Sequence, residues 1–393
     1  MGDTDLLRPL GLFGLRAAVV APKSSPAHRS RFAAGGIHWS GTWQDSDALV
    51  DELLQFAEDH FSEPVPLFYQ YDRHLLLVSR HRRRLAARYR FVLPDAELVE
   101  DLVDKVRFAA LARRLGLPVP DTKILLPDQE RPEAGRLDFP VLLKPAVHLG
   151  DAWLEVEPEA KAVLVESSES LSKLWPRLRS FGGPVLAQEM VPGPESRIES
   201  YHCYVDMRGV LVAEFTGQKI RTRPAAFGYT TALSITDSED ATALGRQVVG
   251  ALGLRGVAKL DFKRTDEGSL RLLEVNPRFN LWHHPAAVAG LNLPAIVWAD
   301  LSGRPRPPSS RARPGVCWSN PWQDRTAARG TGLSDLKWAL WTLRCESAHV
   351  ISSDDLRPLV YGVAARATRA ALSRVPAAHR QLPEAAAGTA TSV

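Results

Sequence analysis

At 393 residues the chain has room for two or three domains with cores of their own, and a content of 45% hydrophobic and 24% charged residues excludes a disordered, collagen-like or coiled-coil protein. No uninterrupted apolar run approaches the ~18 residues that a membrane helix needs, and Asp3, Asp5, Arg8, Pro9 and Arg16 spoil the opening as a secretory leader. Lys and Arg exceed Asp and Glu by 49 to 45, and the three cysteines (Cys203, Cys317, Cys345) are too scattered for a disulfide framework or a zinc site, so a reducing cytoplasm is the expected setting.

Residues 1–94 alternate short apolar runs with helical stretches. Strands are expected at Arg16–Val20, Ile37–Trp39, Val65–Tyr69, Leu75–Ser79 and Phe91–Leu93, and a helix over Asp47–Phe61, where Leu49, Val50, Leu53, Leu54, Phe56 and Ala57 recur with helical period. That alternation predicts a small, mostly parallel α/β domain. Arg80, Arg82, Arg83, Arg84, Arg88 and Arg90 supply much of the positive excess and read either as a solvated helix face or as a polyanion contact. No aromatic stacking series and no nucleic-acid motif accompanies them, so neither nucleic acid nor a membrane is an expected partner.

A single long helix is predicted from Asp95 to Leu115, with a buried stripe of Leu98, Leu102, Val106 and Ala109, an N-cap at Asp95 and a stop at Gly116. The pattern then turns strand-rich: Phe139–Pro145, Ala162–Glu166, Val185–Glu189, Ser196–Val205, Val210–Lys219, Val257–Lys263 and Leu270–Val275, with helices at Ser168–Arg179 and Asp237–Leu252. A proline-rich link, Arg304–Pro314, opens a segment over 304–375 in which Trp318, Trp322, Trp338 and Trp341 cluster and Ser334–Cys345 reads as a capped amphipathic helix. Core packing is the expected role of these tryptophans, with closure over a substrate the alternative. Residues 376–393 are an Ala/Thr-rich tail expected to fray.

The sharpest chemical signal is Lys259–Phe279, KLDFKRTDEGSLRLLEVNPRF. Two strands joined by a turn at Asp266 and Gly268 bring Asp261 beside Glu274, and Glu274 and Asn276, two apart, point to one face. Two carboxylates and an amide are hard oxygen donors suited to Mg²⁺, and acids set between Leu260, Phe262, Leu273 and Val275 are costly without a compensating cation. An ordinary hairpin with surface acids is the bland alternative. Lys144 closes an apolar strand, so it needs a counter-charge or an anion. Lys219 and Arg221, two apart on a presumed strand, are expected to face one way, toward an anion or simply toward solvent. No serine-elbow, phosphate-loop, Ser-His-Asp or Cys-His pattern is present.

The Lys259–Phe279 stretch resembles the metal-binding end of the ATP-grasp superfamily, the fold of D-alanine–D-alanine ligase, D-aspartate ligase and the carbamoyl phosphate synthetase large chain. It is nearest to bacterial predicted ATP-grasp carboligases, in which a Trp-His-His segment (here Trp282, His283 and His284) also follows. Ordered pieces over about residues 10–300 carry the likeness. It implies an N-terminal mostly parallel α/β domain over 1–94, an ATP-grasp domain over 95–303 whose two subdomains hinge near 189–195, and a Trp-rich C-terminal extension. It further implies that Lys105 and Lys144 hold the ATP phosphates, with Lys161 and Lys259 as further nucleotide contacts. Glu189 and the backbone at Met190 and Val191 meet the adenine, and Glu195 the ribose. Lys219, Arg221 and Arg278 act on the transferring phosphoryl group, and Asp261, Glu274 and Asn276 ligate magnesium, as a pair of ions or with Mn²⁺ in its place. His283 and His284 are expected to face the second substrate.

One departure is that Ala146–Val163 holds a single glycine, Gly150, where many relatives carry a glycine-rich loop. The expected activity is ADP-forming ligation of a carboxylate to an amine, an amino acid or small peptide, through an acyl phosphate. Carboxylation, kinase-like transfer and non-catalytic nucleotide binding are the alternatives.

Overall fold

The computed structural model describes residues 3–41, 46–126, 138–146, 153–156, 162–308, 310–349 and 354–364. The first helix, α1 (Thr4–Leu12), is capped by the Asp3 carboxylate, which accepts from the Asp5 N–H. Strands β1 (Ala17–Ala21) and β2 (Ala33–His38) pair in parallel. Helix α2 (Ser46–His60) covers them with Leu49, Val50, Leu53 and Ala57. Strand β3 (Val65–Pro66) pairs in parallel with β4 (Tyr89–Arg90), across α3 (Asp72–Arg80) and α4 (Arg82–Leu85).

The parallel α/β expectation therefore holds, but Leu75–Ser79 is helix rather than strand. Leu75, Leu77 and Val78 are all buried, and an apolar run that short reads the same in either state. Within the arginine cluster Arg80 pairs with Glu100, Arg84 with Asp47 and Asp51, and Arg88 with Glu58, as a helix face laced with acids does.

The expected long helix is two: α5 (Ala96–Val103) and α6 (Lys105–Arg114). Between them Asp104 is extended (φ −84°, ψ 118°), and its carboxylate accepts from the N–H groups of Val106 and Arg107 at 2.8 and 2.9 Å. A short acidic side chain that bonds the backbone ahead of it starts a new helix instead of continuing the old one. Lys105 thereby becomes the first residue of α6.

Next come β5 (Thr122–Leu125), β6 (Val141–Pro145), α7 (Trp153–Val156), β7 (Val163–Val165), α8 (Ser168–Phe181) and β8 (Val185–Glu189). The four strands form an antiparallel sheet in the order β5-β8-β6-β7, cored by Leu143, Trp153, Trp175 and Phe181.

The larger sheet has seven strands in the order β13-β12-β9-β10-β11-β14-β15. These are β9 (Ile198–Val205), β10 (Leu211–Arg223), β11 (Tyr229–Thr236), β12 (Gly256–Arg264), β13 (Leu270–Asn276), β14 (Cys317–Ser319) and β15 (Ser347–Ala348). All neighbours are antiparallel except β14 and β15. Strand β11 went unread because Thr230, Thr231, Ser234 and Thr236 dilute its apolar pattern, although Ala232, Leu233 and Ile235 are buried.

All eight residues of β9 are buried, as a central strand covered on both faces requires. One face packs on α9 (Glu239–Leu252), together with Leu102 and Leu111. The other packs on α10 (His283–Val288), α11 (Leu293–Leu301) and residues of α1. Helices α12 (Pro321–Gly330) and α13 (Asp335–Leu343) follow β14, and Trp318 is buried while Trp322 is 43% exposed. Among the described residues no helix is long and apolar enough to cross a membrane.

Candidate active site

The two sheets and the α5–α6 junction enclose a cleft of about 260 Å³. The small sheet contributes Lys144, Leu142, Gln188 and Glu189, the large sheet contributes Lys219, Asp261, Lys263, Glu274 and Asn276, and Lys105 enters from the start of α6. Asp261 and Glu274 are register partners on β12 and β13. Immediately beyond that pair Phe262 is opposite Leu272, so Leu273 is an extra, bulged residue on β13. The bulge exchanges faces: Leu270 and Leu272 are buried before it, Val275 after it, and Leu273, Glu274 and Asn276 all line the cleft. The turn that joins the strands uses Gly268 at φ +87°, where a side chain would be strained.

Charge in the cleft is compensated pairwise. Asp261 is 2% exposed, receives the Ser200 hydroxyl at 2.5 Å, and lies 2.7 Å from the Lys259 ammonium and 3.7 Å from that of Lys219. Burial opposes its ionisation, but the two ammonium groups outweigh burial and hold its carboxyl well below the usual range. The same pairing, with Glu274 and Glu195 nearby, raises Lys219 against its own burial. Across the cleft, Lys144 donates to Gln188 Oε1 at 2.8 Å and burial pushes its pKa down to about 8, with Lys105 and Lys263 adding repulsion. Lys105 donates to the Pro145 carbonyl at 2.9 Å and is also lowered by burial. Ammonium groups whose hydrogen-bond partners are neutral make an anion-seeking wall. Glu195 sits at the other end, 3.7 Å from Lys263.

Of the residues expected from sequence, Lys105, Lys144, Glu189, Val191, Glu195, Lys219, Asp261, Glu274 and Asn276 line this one cleft. Met190 is at its edge, where its N–H donates to the Pro140 carbonyl at 3.2 Å. Lys259 stands behind Asp261. Arg278 reaches back from the end of β13, donating to Asn276 Oδ1 at 3.1 Å and to the Gln70 carbonyl at 3.2 Å, and pairs with Asp72, which lines the cleft. Lys161 and Gly150 lie outside the described residues.

Three expected residues are elsewhere. Arg221 does not accompany Lys219: Lys219 is opposite Leu233 and Arg221 opposite Ala232, so Ile220 is a bulge that turns Arg221 away. Its guanidinium makes a two-pronged bond to the buried Asp324 of α12 at 2.8 and 2.6 Å and lies 4.1 Å over the Trp341 ring. Asp324 also accepts from Thr231 and Trp338.

His283 and His284 are 0% and 4% exposed and belong to the core beneath the sheet, not to the cleft lining. His283 accepts from the Asn280 N–H at 3.1 Å, packs between Phe215, Phe279 and His202, and is held neutral by burial, its pKa pushed down to about 3. Sequence reasoning in turn missed Lys263, although Lys259, Asp261 and Lys263 alternate on one strand face. It also missed Asp72 and Phe227, for which the sequence offered no local signal.

Residues 184–319 match a family profile described as ATP-grasp in the biosynthetic pathway with Ter operon. A solved N5-carboxyaminoimidazole ribonucleotide synthetase in complex with ADP superposes with a TM-score of 0.60 at 16% identity, over 80% of this chain and 77% of that one. The chain has the ATP-grasp fold. A second ATP-grasp neighbour, biotin carboxylase from Campylobacter jejuni, superposes at 0.59 and 17% identity over 80% and 71%.

Among curated proteins, D-aspartate ligase of Enterococcus faecium is 24% identical over 273 residues, 65% of this chain and 64% of that protein. D-alanine–D-alanine ligase of Pseudomonas entomophila is 25% identical over 219 residues, 51% and 64%. The chain thus spans 64% of the length of these ligases.

Proposed function

We propose that the protein is an ATP- and magnesium-dependent, ADP-forming ligase that activates a substrate carboxylate by phosphorylation and couples it to an amine. The observation that carries this reading is that an ammonium wall (Lys105, Lys144) and an oxygen-donor wall (Asp261, Glu274, Asn276) line one cleft, with Lys219 beside Asp261. Those donors suit magnesium, which takes carboxylate and amide oxygens and phosphates together, and magnesium–ATP would supply the phosphoryl group and screen its charge.

The chain's own residues position and neutralise. Lys105 and Lys144 hold phosphate oxygens. Glu189, Val191 and the Met190 backbone bound the base, and Glu195 reaches the ribose. Lys219, kept protonated by Asp261, faces the transferring group. Arg278, held by Asp72 and Asn276, presents its planar fork to a carboxylate or phosphoryl oxygen. No side-chain nucleophile is needed.

The test is a screen of amino acids and small peptides for acceptor-dependent ADP release, with mass spectrometry of products. The expected result is magnesium-dependent ADP formation only when an acid and an amine are both present, lowered ~10²–10³-fold in kcat by Glu274→Gln without loss of fold by circular dichroism. Unchanged turnover in that variant overturns the site. A requirement for bicarbonate in place of the amine replaces ligation with carboxylation.

A further inference from the structure

The three cysteines, scattered along the sequence, are not all scattered in the fold. Cys317 opens β14, and Cys345 follows α13, two residues before β15. The parallel pairing of these strands sets Trp318 level with Ser347, and the Ser347 hydroxyl donates to the Cys317 carbonyl at 3.1 Å. Carried back along that register, with strands ~4.8 Å apart and ~3.3 Å per residue, the Cα atoms of Cys317 and Cys345 stand about 6 Å apart. That is the usual span of a disulfide. The side chains meet as well: the two thiols hydrogen-bond one another, with the Ser234 hydroxyl beside Cys317 and the Ser319 hydroxyl beside Cys345. Both are free and partly exposed, whereas Cys203 is buried in β9.

The contact makes the pair reactive. The hydrogen bond from Cys345 holds the first ionisation, at Cys317, below the usual thiol range, and the second is pushed above it. A partly exposed thiolate with a second thiol alongside is equipped to exchange with disulfides. Burial pushes the Cys203 thiol up to about 12, which leaves it inert.

The pair also stands at the two ends of a loosely held segment. Between the cysteines run α12 and α13, which join β10 and β11 through Asp324 and its bonds from Arg221, Thr231 and Trp338. The Cys345 Sγ lies 3.6 Å from the Trp341 carbonyl, and the Trp341 ring covers the Arg221 guanidinium. Yet α13 buries none of its residues completely, and Leu336, Leu340 and Leu343 are exposed. An element with so little burial opens readily, and a bond between its ends would take conformational freedom from the opened state.

We propose that Cys317 and Cys345 are a reversible redox pair whose disulfide clamps α12 and α13 onto the β10–β11 face. The Cys317 thiolate attacks one sulfur of a small disulfide such as oxidised glutathione and expels one glutathione thiolate. Cys345 then loses its proton and displaces the second glutathione, closing the Cys317–Cys345 bond. Two protein thiols surrender two electrons and two protons, and the oxidant leaves as two thiols. Excess thiol reverses both steps. The pair stands independently of the ligase reading.

The full chain, incubated in glutathione buffers of rising oxidised fraction, tests this by intact-mass and peptide mass spectrometry. Expected are the loss of two hydrogens, a Cys317–Cys345 crosslink, and one titratable thiol left of three. Cys203→Ala should keep the crosslink, while Cys317→Ser or Cys345→Ser should abolish it. Trypsin cleavage after Arg325, Arg329 and Lys337 should be at least tenfold slower in the oxidised protein than in the reduced one, and equally fast in both buffers for Cys345→Ser. No crosslink at any buffer ratio, glutathione adducts without a crosslink, or a bond to Cys203 or between chains overturns the pair. A crosslink that leaves the trypsin rate unchanged overturns the clamp. Each of these outcomes is read on the unmutated protein, so a variant that fails to fold leaves the test intact.

Discussion

The end of β10 and the β12–β13 hairpin carry the same kind of pattern, charged or polar residues two apart, and both contain a β-bulge. In the hairpin the bulge at Leu273 precedes Glu274 and Asn276, so both fall after the change of face and stay together in the cleft. In β10 the bulge at Ile220 falls between Lys219 and Arg221. One residue goes to the cleft and the other to Asp324. Spacing alone locates a shared face only when no extra residue intervenes, and a bulge leaves no mark in residue type.

Asp324→Ala should have the largest effect, and on stability rather than chemistry. It strands the Arg221 guanidinium, whose side chain is 9% exposed, and removing one partner of a buried pair costs about 3–5 kcal/mol. Chemical denaturation would measure it, and Arg221→Met added to Asp324→Ala should recover most of the loss. If Asp324→Ala is as stable as wild type but loses nucleotide turnover, Arg221 belongs with Lys219 after all.

Next in size, Lys219→Met should lower kcat by ~10²-fold and leave the denaturation midpoint nearly unchanged. A large stability loss would erase the contrast between the two positions. The smallest effect is in pH. The Lys144 ammonium, its pKa pushed down to about 8, attracts phosphate only while protonated. Mg-ADP affinity should therefore be level below pH 8 and decline as pH rises through it, at most tenfold per unit. Lys144→Met should be weaker throughout and flat across that window.

Much of the cleft was legible because its chemistry constrains residue type. The Asp261, Glu274 and Asn276 set was fixed by hairpin reach and period two, and Lys144 by the oddity of an ammonium closing an apolar strand. What stayed hidden depends on tertiary surroundings. His283 and His284 read alike whether they face a substrate or a core, and only the packing of Phe215, Phe279 and His202 around His283 separates the two. The sequence reads Asp95 as the cap, but Asp95 makes no side-chain cap bond, whereas the Asp104 carboxylate bonds the two N–H groups ahead of it and interrupts the helix. The Leu75–Ser79 run lacks the length that distinguishes a buried helix from a strand.

The seven-stranded sheet begins at β13 and finishes at Ser347–Ala348, and the first helix meets residues 348–349 beside that last strand. His349 lies 2.7 Å from Asp5, the Trp318 indole donates to Asp5, and Arg8 donates to the Ala348 carbonyl. Contacts spanning more than three hundred residues close late. A nascent chain still lacking Ser347–Ala348 therefore holds an open β14 edge, and is a natural client for chaperones until the last short strand arrives.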